Sequence, residues 1–62
     1  MFFIELTTTG NKPIFININK IVAILKNEDD TTMIDCGIQD EFYTVKEDPR
    51  MIVEKMTNCN YI

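Results

Sequence analysis

Apolar and polar positions alternate with a period of two over much of residues 2–46, then change to a helical spacing over 48–57. In the first run Phe2, Ile4 and Leu6 point one way and Phe3, Glu5 and Thr7 the other, which is the mark of a half-buried strand. Thr8-Thr9-Gly10-Asn11-Lys12 follows as a turn, with Gly10 or Asn11 free to take positive φ. Pro13 cannot donate to a ladder, so it suits the first position of the next strand. Ile14, Ile16 and Ile18 then share one face, with Phe15 and Asn17 on the other. Asn19-Lys20 reads as a bend. Ile21-Val22-Ala23-Ile24-Leu25 is continuously apolar and rich in β-branched residues, which predicts a strand buried on both faces. Asn27–Asp30 is a polar turn, and Thr32, Ile34 and Cys36 share a face of the next strand. Gly37–Glu41 turns the chain into a last strand, Phe42–Lys46.

Asp48-Pro49 starts a helix: Asp is a favoured N-cap, and proline fits a first helical position whose N–H needs no partner. At 100° per residue, Ile52, Val53, Met56 and Cys59 form one stripe, and Arg50, Glu54 and Thr57 fall outside it. Ten residues do not hold a helix alone in water, so the stripe must dock. Short turns between successive strands predict a meander. The expectation is an α+β domain spanning 1–62: four to five antiparallel strands over 2–46, a helix over 48–57 packed on the sheet, and a tail over 58–62.

One helix covers one face of a sheet. The opposite face still carries Phe3, Phe15, part of the Ile21–Leu25 run, and either Phe42 or Tyr43. Twist or barrel closure hides some of this; otherwise a large apolar patch meets water, which monomers rarely tolerate. A homo-oligomer, dimer or higher, is therefore expected, with Phe3, Phe15, Leu25 and Tyr43 as candidate self-association residues. A small core makes the same demand, because short chains bury little of their surface.

Net charge is −4, with one arginine, Arg50, and singly scattered lysines. Binding to a nucleic-acid backbone needs clustered cations, so a protein partner with a basic surface is the better match. No run approaches the roughly 20 apolar residues of a membrane span. The start, Met1-Phe2-Phe3-Ile4-Glu5, lacks the basic region of a signal peptide. A cytosolic location follows, where Cys36 and Cys59 stay reduced as small hydrophobes. Abundant Ile, Asn and Lys read as the codon bias of an A/T-rich bacterial or phage genome.

Without histidine, imidazole triads and histidine metal sites are excluded. Gly10 and Gly37 build no phosphate loop. Glu28-Asp29-Asp30 lacks the ligand spacing of a calcium loop and reads as a solvated turn. Asp40-Glu41 and Glu47-Asp48 are adjacent carboxylates at element ends, where charge is ordinary. No catalytic residue, cofactor or metal is expected.

Ile18-Asn19-Lys20-Ile21 and Tyr43-Thr44-Val45-Lys46-Glu47-Asp48, followed by a helix with Ile52-Val53 and Met56, give the order of the FlbD-like small proteins, which the chain resembles over roughly residues 3–57. That family is named from flagellar and swarming-motility gene clusters and has stand-alone bacterial and phage members. The resemblance implies structural roles: Val45-Lys46-Glu47 ends a strand, Asp48 caps the helix, and Asn19 shapes a bend. It implies no catalytic residues. The ending Asn58-Cys59-Asn60-Tyr61-Ile62 lacks a basic tail, which points away from motility.

The leading expectation is a non-enzymatic, self-associating interaction module, in its sharper form a phage-encoded or regulatory inhibitor that covers a basic host site. The alternative is a small-ligand binder with a pocket at an oligomer interface, where Asn17, Asn19, Tyr43 and Lys46 are the candidate contacts. A nucleic-acid-associated regulator stands third.

Overall fold

The computed structural model describes residues 3–39 and 41–59, the side chain of Cys59 apart. The elements are β1 (Phe3–Thr7), β2 (Pro13–Asn17), a 3-10 turn (Ile18–Lys20), β3 (Ala23–Lys26), β4 (Thr32–Ile38), β5 (Glu41–Val45) and α1 (Pro49–Cys59). Neighbouring strands pair antiparallel, β1 with β2 in one sheet and β3-β4-β5 in another. The expected α+β architecture, a meander followed by a helix, is present, and the strands divide into two sheets. Asn58 and Cys59, expected in a tail, belong to the helix. Phe2, Asp40 and residues 60–62, given to a strand, a turn and the tail, lie outside the described residues.

In the first hairpin Asn11, not Gly10, takes the left-handed conformation, at φ 67. The Asn11 N–H donates to Thr8 C=O at 2.9 Å and the Thr8 N–H to Lys12 C=O at 2.8 Å. Registers Ile4↔Ile16 and Leu6↔Ile14 set the inward face, where Ile4, Leu6 and Ile16 are buried. The bend after β2 is shaped by Asn17 rather than Asn19: the Asn17 Oδ1 accepts the Asn19 N–H at 2.9 Å.

Gly37 was expected in a turn, but it lies within β4. There it takes φ 82 in a register shift between Asp35 and Ile38, and Asp35 Oδ1 accepts its N–H at 2.8 Å. A bulge needs the same positive φ as a turn, so a lone glycine signals either. A Cβ at this position would stand 2.8 Å from Val22 Cγ2.

The Ile21–Leu25 run is not a doubly buried strand. Its strand, β3, begins at Ala23 and lies at the end of its sheet, with Val22 68% and Leu25 46% exposed. Leu25 points to the outer face, on which no described element packs, and an edge strand has no second neighbour to shield its side chains laterally.

The core lies between the sheets: Ile4, Leu6 and Ile16 meet Ile34, Cys36 and Val45, and Ile52 of α1 closes the cluster. The helix contacts β1 and β3. Its docking stripe is narrower than the wheel predicts, because Ile52 is fully buried and Met56 half-buried while Val53 is 52% exposed. Thr32 is also buried, and its Oγ1 has no hydrogen-bond partner among the described residues.

C-terminal groups finish the open edge of β1. The Thr7 C=O accepts the Lys46 N–H at 2.9 Å, the Thr7 N–H donates to Glu47 Oε1 at 2.9 Å, and Lys55 Nζ donates to Glu5 C=O at 3.2 Å. Asp48 caps α1 as expected, its Oδ2 accepting the Arg50 N–H at 3.2 Å while its Oδ1 pairs with Lys26 Nζ at 3.1 Å.

Candidate functional site

The registers decide which side chains share a surface. Ile34 stands opposite both Ile24 and Tyr43, so Tyr43 belongs to the inner face of its sheet. Leu25 opposes Met33, and Phe42 opposes Asp35, on the outer face. Of the two residues left open by sequence, Phe42 is the one that faces outward. Phe3 and Phe15 lie together on the outer face of β1–β2, diagonal across the register Glu5↔Phe15. The four candidate self-association residues therefore do not form one surface: Phe3 and Phe15 share one sheet, Leu25 lies on the other with Phe42, and Tyr43 turns inward.

Tyr43 borders a cleft of about 240 Å³ at the seam where the edge of β2 approaches β4 and β5. Ile14, Ile38 and Cys36 supply apolar wall, and Asn17, Lys20 and Glu41 supply polar groups. Of the four candidate ligand contacts, Asn17 and Tyr43 meet here. Asn19 is exposed on the 3-10 turn, and Lys46 Nζ instead reaches Asn11 Oδ1. Lys20 and Glu41 are the contacts that strand alternation misses. Lys20 lies three residues beyond Asn17 across a 3-10 turn, whose period of three places both toward the same edge.

The cleft has a mixed electrostatic character. Burial pushes the Cys36 thiol up, and the Glu41 and Asp35 carboxylates push it further in the same direction. A thiol held protonated is a poor nucleophile and a poor metal ligand. Among the described residues no three His, Cys, Asp or Glu side chains gather to hold a metal ion. The cleft thus sets apolar wall beside the polar groups of Asn17, Lys20 and Glu41.

A second hollow runs between β3 and α1, where Val22 and Ile24 face Val53 and Met56. Sequence alternation places Val22 and Val53 in buried positions and so gives no sign of it.

Comparison with protein-family models, with curated proteins and with solved structures finds no match. Among the described residues no helix is long and apolar enough to cross a membrane.

Proposed function

We propose that this chain is a non-catalytic protein-interaction module that self-associates and engages a partner with a basic surface. The observation that carries the reading is the exposure of Phe15 at 60% and Phe42 at 53%, on outer faces that remain open although both sheets and the helix already share one core. Fully burying such a side chain contributes roughly 1.5–3 kcal/mol, and a core of this size has little stability in reserve. A net charge of −4 supports the choice of a basic partner. The lack of histidine and the protonated Cys36 thiol support a role without catalysis. The likeness to FlbD-like proteins supports the same reading, since that pattern implies no catalytic residues. We place the action in the cytosol, where Cys36 stays a thiol, and an inhibitor that blocks a basic site is its sharper form.

Sedimentation equilibrium across a dilution series tests it. The expected result is a dimer or higher oligomer, dispersed by Phe15→Ser or Phe42→Ser with the fold retained. A monomeric mass at high concentration overturns it.

The meeting of Asn17, Tyr43 and Lys20 at one cleft favours a second reading, a small-ligand site. It lies within a single chain rather than at an oligomer interface. A screen of small carboxylates for a raised melting temperature, lost in Lys20→Ala, is its test.

A further inference from the structure

We propose that the groove between β3 and α1 receives an extended strand of a partner protein, paired to the open edge of β3 and presenting a carboxylate to Arg50. This deepens the interaction-module reading, on which it rests, by naming the surface: the partner is basic overall, and its one acidic group here meets the single arginine of the chain.

The backbone supplies the first reason. Bonded and non-bonded pairs alternate along an antiparallel ladder. The Asn27 N–H donates to Thr31 C=O at 2.8 Å, which puts Leu25 and Ala23 in the bonded positions toward β4. Ile24 and Lys26 therefore turn their N–H and C=O groups away from the sheet, and β3 is its end strand. No described residue hydrogen-bonds to these groups. Other edges carry cover: Lys46, Glu47 and Lys55 bond to β1, Val45 at the end of β5 is bridged to Thr8, and Pro13 withholds a donor at the start of β2. The ammonium of Lys26, a common edge protector, is drawn aside to Asp48 Oδ1 and to Asp30 C=O. An edge left open is a template for one more strand.

The side chains supply the second reason. Two adjoining hollows, about 540 Å³ and 380 Å³, share Ile24 and Val53. Successive residues of an added strand point alternately to opposite faces, so every other one would enter this apolar channel. A helical occupant would fill the channel and leave the β3 edge unpaired.

Charge supplies the third. Arg50 lines the end of the channel near Pro49, and its guanidinium makes no hydrogen bond or ion pair with a described residue. In a chain of net charge −4 the single arginine acts on Asp48 only at a distance, as one of the charges that lower that carboxyl, and forms no direct ion pair with a described residue. A guanidinium fork matches a carboxylate. The occupant is thus an extended segment, apolar at alternate positions, with an acidic group at the Arg50 end.

The test selects displayed random peptides against the intact chain, then titrates the best of them as synthetic peptides. Enriched sequences are expected to alternate apolar and polar residues and to carry Asp or Glu toward one end. N-methylation of alternate amides in one register should weaken binding roughly tenfold, with little effect in the other. Arg50→Ala should weaken the acidic peptide and not its amide counterpart. Val53→Asp should abolish binding while circular dichroism stays unchanged, because Val53 is already exposed. Failure to enrich any peptide, or binding indifferent to N-methylation, overturns the proposal, as does binding lost in Phe15→Ser but kept in Val53→Asp. Self-association abolished by Val53→Asp, with no peptide selected, would assign the groove to a second copy and overturn it as well. Oligomers dispersed by Phe15→Ser without peptide capture would leave the module reading intact and remove this groove alone. Peptide capture by a strictly monomeric chain would do the reverse.

Discussion

Thr7 and Glu47 stand forty residues apart in sequence, and the Glu47 carboxylate accepts the Thr7 backbone N–H at 2.9 Å. A side chain here takes the place of a neighbouring strand. Glu47→Ala leaves a partly buried donor without its acceptor, which costs about 1–3 kcal/mol. Glu47→Gln keeps an acceptor oxygen and should lose less. Urea midpoints of the two variants check the order.

The same contact has a pH signature. Partial burial pushes the Glu47 carboxyl up, but the bond from Thr7 and the nearby Lys55 outweigh it and hold the group below its ordinary value of 4.5. A carboxyl lowered in the fold stabilises fully above its unfolded value, and that stability is lost as the pH falls through the folded one. The stability gap between the parent chain and Glu47→Gln is therefore expected to be widest near neutrality and to shrink from about pH 4.5 downward. A gap that grows in acid contradicts this.

Ile52→Asp should be the most damaging of three helix substitutions. Ile52 is fully buried, and an unpaired carboxylate there costs several kcal/mol unless it protonates. Val53→Asp and Glu54→Ala change exposed positions and should each cost about half a kcal/mol or less. A thermal melt of all three ranks them, and a Val53→Asp loss comparable to that of Ile52→Asp would restore the wider stripe.

Asp48→Ala removes the acceptor for the Arg50 N–H and the partner of Lys26 together. The cap dominates, at about 1 kcal/mol, because an exposed ion pair adds little. An unchanged denaturation midpoint with full helix content would discount the cap.

How far the fold was legible depends on whether a residue's signal was local. Ile4, Leu6, Ile16 and Ile34 alternate as strand residues and are buried, and Asp48 caps where an Asp-Pro pair predicts. Gly37 read as part of a turn, because nothing local distinguishes that from the bulge in β4 where it takes φ 82. The Ile21–Leu25 run could not reveal its place at the sheet edge, because that follows from which strands fail to pair beyond it. Val53 misled for the same reason: the wheel assigns a face, whereas burial needs a partner on that face. In the candidate cleft, Asn17 and Tyr43 were legible, but Lys20 and Glu41 reach it through a 3-10 turn and the start of β5.

Thr32→Val tests the one buried hydroxyl shown without a partner among the described residues. Replacing it with a methyl of similar shape removes an uncompensated polar burial, so stability should rise by about 1 kcal/mol. A loss on that substitution would reveal a hydrogen bond at Oγ1. Differential scanning calorimetry at neutral pH resolves a change of this size.

The cover on the β1 edge has a consequence for the order of events during folding. Residues 3–17 form a hairpin whose outer backbone groups must wait for Lys46, Glu47 and Lys55, which lie far along the chain. Until then Thr7 and Glu5 offer their outer backbone groups to water or to the edge of another unfolded chain. Closing this edge needs contacts forty and fifty residues apart in sequence, and such non-local contacts are the slow ones to form, so the β1 edge is among the last features of the fold to be completed.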